Sequence, residues 1–134
     1  MIVLDEGIYD PDIARRIAVW YPGRVVSVTA LRPRTVVKDD AVALLLRTAQ
    51  QPTFITINVS DFGRVIDCSI AYAIICIDLP IRQASEIPDW LRRCLQSNMF
   101  KTKVARMGKI ICLRPSRIDY YGSDGRIASL AWTE

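Results

Sequence analysis

The chain contains no histidine. That removes most zinc sites and every His-dependent catalytic triad. None of the four cysteines, Cys68, Cys76, Cys94 and Cys112, sits in a CxxC pair. Cys76 and Cys112 fall inside apolar, strand-like runs and read as small buried hydrophobes in a reducing cytoplasm. No apolar run reaches the roughly 18 residues of a membrane span; the longest, Ile70 to Ile77, stops at Asp78. The opening Met-Ile-Val-Leu-Asp-Glu has no basic n-region and turns acidic at once, so it does not read as a signal peptide. Acid is missing altogether between Asp89 and Asp119, an interval that holds Arg92, Arg93, Lys101, Lys103, Arg106, Lys109, Arg114 and Arg117. The net charge is only +4, but a basic stretch of this kind attracts nucleic-acid phosphate through counterion release. Its plainer reading is a solvated face.

What is present is enough for one core. With 134 residues, 51% of them apolar, the chain is expected to form a single domain over 1–134. Ile2-Val3-Leu4 reads as a short buried strand. Asp10-Pro11 is a helix start, with Asp as N-cap and Pro at the first helical position. Ile13, Ile17 and Trp20 recur at helical spacing until Pro22-Gly23. Val25 to Val28 reads as a second strand. A second helix is expected from Asp40 to about Gln50, capped by Asp39 and stopped by Pro52, and a third strand over Phe54 to Ile57. This β-α-β-α-β order with short connections predicts an α/β fold with a right-handed, parallel sheet.

Further along, Ile70 to Ile77 reads as a fourth, fully buried strand. Ser85 is placed as the cap of a helix starting near Glu86. The segment from Phe100 to Met107 is ambiguous between a short helix and a loop, and Lys109 to Leu113 is a strand candidate. Arg117 to Tyr121 and Arg126 to Ala131 flank Gly-Ser-Asp-Gly, which predicts a C-terminal β-hairpin.

Ligands of an open parallel sheet bind outside the carboxyl ends of its strands. Asp5 and Glu6 directly follow the first strand. Asp39 and Asp40 open the helix after the second, and Asn58 and Asp61 follow the third. All project to one sheet edge. Two or three carboxylates and an amide oxygen suit a hard cation such as Mg²⁺, which also relieves their mutual repulsion. Taken singly, Asp39 reads equally as a helix cap, Glu6 as a surface residue, Asp61 as a turn cap and Asn58 as an ordinary strand-end residue.

The stretch Val3-Leu4-Asp5-Glu6, the Asp39-Asp40 pair and the run from Phe54 to Phe62 resemble the PIN-domain nucleases. They are most similar to a short bacterial PIN-like group, related to VapC toxins, that begins Leu-Asp-Glu-Asn. The resemblance covers about residues 2 to 62. It implies a PIN-like three-layer fold with a central, mostly parallel sheet and a Mg²⁺- or Mn²⁺-dependent endoribonuclease, the toxin-like part of a toxin–antitoxin system. Carried over, Asp5 is the first metal ligand and Asp40 the second, with Asp39 as the alternate; Asn58 falls where the third family acid sits, and Asp61 matches the fourth. Glu6, beside Asp5, is a further candidate metal ligand. Two positions depart from the pattern: Gly7 stands for the usual Asn, and Asn58 for the usual Asp. The expected partners are RNA, held by Arg92, Arg93, Lys101, Lys103 and Arg106, and an antitoxin protein or a second subunit. A catalytically degenerate binding module is the alternative. A phosphoacceptor receiver domain fits poorly, because Asn58 stands where the acceptor Asp is needed.

Overall fold

The computed structural model describes residues 1–31, 45–57 and 68–132. Among them a single seven-stranded sheet runs β2-β1-β3-β4-β5-β6-β7. The strands are β1 (Ile2–Leu4), β2 (Val25–Ser27), β3 (Thr53–Thr56), β4 (Ala73–Ile77), β5 (Ile110–Leu113), β6 (Arg117–Tyr121) and β7 (Ala128–Ala131). The first five are mutually parallel, and β6 and β7 add an antiparallel hairpin to the same sheet. The protein is therefore α/β, with a mostly parallel sheet and a C-terminal hairpin.

Side chains alternate across a strand, and the parallel strands are apolar on both sides, as strands covered on both faces are. Ile2, Leu4, Ile55, Ile75, Ile77, Ile111 and Leu113 belong to one core cluster. Val3, Phe54, Ile74, Cys76, Ile110 and Cys112 belong to the other. Helices α1 (Pro11–Ala18) and α2 (Ile87–Gln96) cover the first face through Ile13, Ile17, Ile87, Leu91 and Cys94. On the second face lie Val28 and the helical pair Leu45 and Leu46. Each buried Ile or Leu contributes about 1.5–3 kcal/mol relative to exposure, so the stability of this short-stranded sheet comes mainly from these two layers.

Local signals explain most boundaries. The Asp12 N–H donates to Asp10 Oδ1 at 2.7 Å, and Pro11 begins α1. The hairpin turn closes through the Gly125 N–H to the Gly122 carbonyl, with Gly125 at φ +72°, where a side chain would be strained. Phe100 to Met107 resolves into a four-residue helix, α3 (Lys103–Arg106), capped by Thr102.

Four expectations are corrected. The first helix stops at Ala18, so Trp20 lies in the turn beyond it. The fourth strand begins only at Ala73: the Tyr72 N–H bonds to the Ser69 carbonyl in a turn, leaving Ile70 86% exposed. Ser85 is not a cap, because a 3₁₀ turn (Ile81–Glu86) runs into α2 and the Ser85 carbonyl accepts from Arg16. The second helix has ended by Arg47, short of the expected Gln50; its expected start at Asp39 and Asp40 lies outside the described residues.

Candidate active site at the carboxyl edge of the sheet

β1 lies between β2 and β3. The chain leaves β1 in one direction to form β2 and returns to its other side as β3, so the crevice between β1 and β3 is the point where the winding reverses. In a doubly wound sheet that crevice, at the carboxyl end, is the binding position.

Asp5 and Thr56 occupy it. The register pairs Leu4 with Ile55, which makes Asp5 and Thr56 the next neighbours on the same face. The Asp5 N–H continues the ladder to the Ile55 carbonyl at 2.9 Å. The Thr56 hydroxyl, itself buried, donates to Asp5 Oδ2 at 2.8 Å. The carboxylate is thus oriented by backbone and side chain together, while Asp5 itself is only half-buried. Among the described residues the ion pairs are Arg15–Asp12, Arg114–Asp78, Arg114–Asp119 and Arg117–Asp119. Asp5 is in none of them. Glu6 follows in an exposed 3₁₀ turn. On the β2 side, Ser27 Oγ and Thr29 Oγ1 lie 2.9 Å apart and add two hydroxyls near this edge.

Asp39, Asp40, Asn58 and Asp61 lie outside the described residues. Among the described residues no three His, Cys, Asp or Glu side chains converge as a metal group would require. The donor that is described does suit a hard cation in kind. It is a carboxylate with no ion-pair partner among the described residues, and one of its oxygens is held by a hydroxyl. Metal-bound carboxylates are characteristically held by outer hydrogen bonds of this sort.

A second charged cluster sits farther along the edge. Asp78 directly follows β4 and Arg114 directly follows β5, and these pair at 3.3 Å. Arg114 Nε also donates to Asp119 Oδ2 at 2.8 Å, and the Arg117 Nε and Ser129 hydroxyl reach Asp119 Oδ1 at 3.0 and 2.6 Å. Burial raises the Asp119 pKa, but the bonds from Ser129, Arg114 and Arg117 outweigh it and hold the carboxyl below its ordinary range. Both Asp119 oxygens are occupied, so this cluster fastens the hairpin to β5.

The expected RNA-contacting residues divide. Arg92, Lys101 and Lys103 are exposed. Arg93 stacks on Trp132, its guanidinium carbon 4.3 Å from the ring centre. Arg106 is a correction: it is only 4% exposed. Its guanidinium donates to Thr53 Oγ1, the Phe100 carbonyl and the Lys101 carbonyl at 3.3, 2.9 and 3.2 Å. Burial lowers its pKa despite Tyr21 and Cys94 nearby. Arg106 is a tie between α3 and β3, placed at the opposite end of β3 from Asp5.

Sequence reasoning missed Thr56 and the Asp119 cluster. The alternation of Phe54 and Thr56 was a usable signal, since it puts Thr56 on the Val3 face, where Asp5 also points. The Asp119 cluster had no such signal, because it depends on how the hairpin docks. No family model matches the chain, and neither a curated protein nor a solved structure matches it. No helix among the described residues is long and apolar enough to cross a membrane.

Proposed function

We propose that the protein is a Mg²⁺- or Mn²⁺-dependent endoribonuclease of PIN-like type, acting as the toxin-like member of a toxin–antitoxin pair. The observation that carries this reading is the carboxylate of Asp5 at the winding-reversal crevice, positioned by the Thr56 hydroxyl at 2.8 Å and without an ion-pair partner among the described residues. Asp5 would hold the metal, with Asp40 and Asp61 as further ligands, Asp39 as the alternate to Asp40, Glu6 as a further candidate ligand beside Asp5, and Asn58 orienting a ligand or water. The bound cation supplies charge to polarise a phosphoryl oxygen and acidify a water. Thr56 fixes the Asp5 rotamer, so the carboxylate needs little reorganisation to accept a cation.

The test is cleavage of RNA with Mg²⁺ or Mn²⁺, with and without EDTA, by the wild type and Asp5→Asn. Cleavage by the wild type that is lost on chelation and in the variant supports the reading. Cleavage that survives both overturns it.

A non-catalytic nucleic-acid-binding module is the second reading, favoured by Asn58, whose amide oxygen brings no charge to the site. Calorimetric titration with Mn²⁺ separates the two. No binding near millimolar metal, with Asp5→Asn indistinguishable from wild type, selects the second.

A further inference from the structure

Charge is divided between the two edges of the sheet. Asp5, Glu6, Asp10 and Asp12 follow β1, and Asp78, Glu86 and Asp89 follow β4, so all of these lie toward the carboxyl edge. The cations that precede strands lie at the other edge. The Arg24 carbonyl accepts from the Ile2 N–H at the start of β2, Lys109 stands directly before β5, and Lys101 and Lys103 flank the start of α3. Burial lowers the pKa of the Met1 amine, and Lys103, Arg106 and Arg24 lower it further. The only described acid at this edge is Asp124, in the β6–β7 turn, and its carboxylate accepts from the backbone N–H of Arg126. No ion pair among the described residues involves Arg24, Lys101, Lys103 or Lys109. Arg24, Lys101 and Lys103 are exposed.

Arg24 precedes β2, and Arg106 joins the Lys101 carbonyl to Thr53 at the start of β3. From β2 to β3 there are two strand spacings, or roughly 10 Å at about 4.8 Å each, enough to meet more than one phosphate. Tyr21 lies near this edge, its hydroxyl accepting from the Met1 amine at 3.0 Å. Tyr21 is half-buried, and its ring lies so close over Gly23 that a Cβ there would sit 2.7 Å from it. Exposed cations that track a backbone bind single strands through their phosphates, with little regard to sequence.

We propose that this amino edge, centred on Arg24, Lys101 and Lys103, is a docking surface for the backbone of single-stranded RNA, separate from the Asp5 crevice. The inference rests on the preceding reading only for the choice of RNA. It assigns Arg106 a positioning role beneath the surface, where it holds the Lys101 carbonyl. An RNA bound here would continue around the sheet to the carboxyl edge. Through the sheet, the two edges are about 10 Å apart along β3, from Thr53 beside Arg106 to Thr56 beside Asp5, at about 3.3 Å per residue.

The experiment is anisotropy of a labelled single-stranded RNA against salt, in EDTA, so that neither metal nor cleavage contributes. Single-strand affinity falls with log salt at a slope of about 0.7 per neutralised phosphate. Arg24→Ala/Lys103→Ala is expected to weaken binding at least tenfold at low salt and to flatten the slope by about 1.4. Arg82→Ala, on the carboxyl side, is expected to leave both unchanged. A slope unmoved in the double variant, or one that falls only with Arg82→Ala, overturns the proposal. Competition by polyglutamate as effective as unlabelled RNA at equal charge would assign the surface to an acidic protein segment and overturn the RNA assignment. Binding intact in EDTA, with no cleavage by the wild type when Mg²⁺ or Mn²⁺ is restored, counts against the nuclease reading alone.

Discussion

Thr53 and Thr56 stand at the two ends of β3, and each hydroxyl serves a different charge. Thr56 Oγ1 donates to Asp5 Oδ2 at 2.8 Å, while Thr53 Oγ1 accepts from Arg106 Nε at 3.3 Å. One four-residue strand thus separates an acidic crevice from a basic edge, and the predictions below follow from that arrangement.

Thr56→Val should act on the site through Asp5. Losing a hydrogen bond to a carboxylate costs about 1–2 kcal/mol of stability, and loss of an outer partner typically weakens metal binding 10–100-fold. Mn²⁺ calorimetry and urea denaturation of the variant check both. Wild-type Mn²⁺ affinity in Thr56→Val would show that the hydroxyl does not position the carboxylate.

Arg106→Met should unfold more readily, not merely bind RNA less. It keeps much of the aliphatic volume but leaves two carbonyls and the Thr53 hydroxyl without their donor, a loss of about 3 kcal/mol. Chemical denaturation measures it. Stability within about 0.5 kcal/mol of wild type, the usual range for surface substitutions, would return Arg106 to the surface.

Asp119 should make stability depend on pH in acid. Its folded pKa lies below the ordinary 3.8. A depressed carboxylate stabilises the fold fully above the ordinary value, and the contribution is lost as pH falls through the folded pKa. Asp119→Asn should therefore cost about 1–3 kcal/mol at pH 7 and progressively less below pH 3.8. Urea midpoints at several pH values test this. A constant difference between variant and wild type across that range would refute it.

Cys94 and Cys112 should resist alkylation in the folded protein. Burial pushes their thiols up to about 12 and about 11, respectively, so almost no thiolate exists near pH 8. Mass spectrometry after iodoacetamide treatment should find Cys68, the half-buried one, modified first, and the other two only in denaturant. Rapid native labelling of Cys94 would contradict its packing between α2 and the sheet.

Much of the architecture was legible in local pattern. Ile2-Val3-Leu4 begins and ends as read, and Asp10-Pro11 starts α1 because a cap and a preset φ act within a few residues. The β6–β7 hairpin is set by Gly125. Errors occurred where hydrophobicity misled. Ile70 extends an apolar run yet is exposed, because a turn at Ser69 removes it from the strand. Ser85 looked like a cap, but a 3₁₀ turn brought Glu86 to that position.

The sequence by itself determined the alternating strands, the parallel α/β class and the placement of Asp5 after β1, because periodicity and capping are short-range properties. The tertiary structure decided which side chains meet. Strand order set Asp5 beside Thr56, and docking of the hairpin enclosed Asp119 among Arg114, Arg117 and Ser129. Packing of α3 buried Arg106 while leaving Lys101 and Lys103 in solvent. Adjacent cations in the chain thereby received opposite roles, since burial depends on the face a residue turns to the rest of the fold and not on its charge.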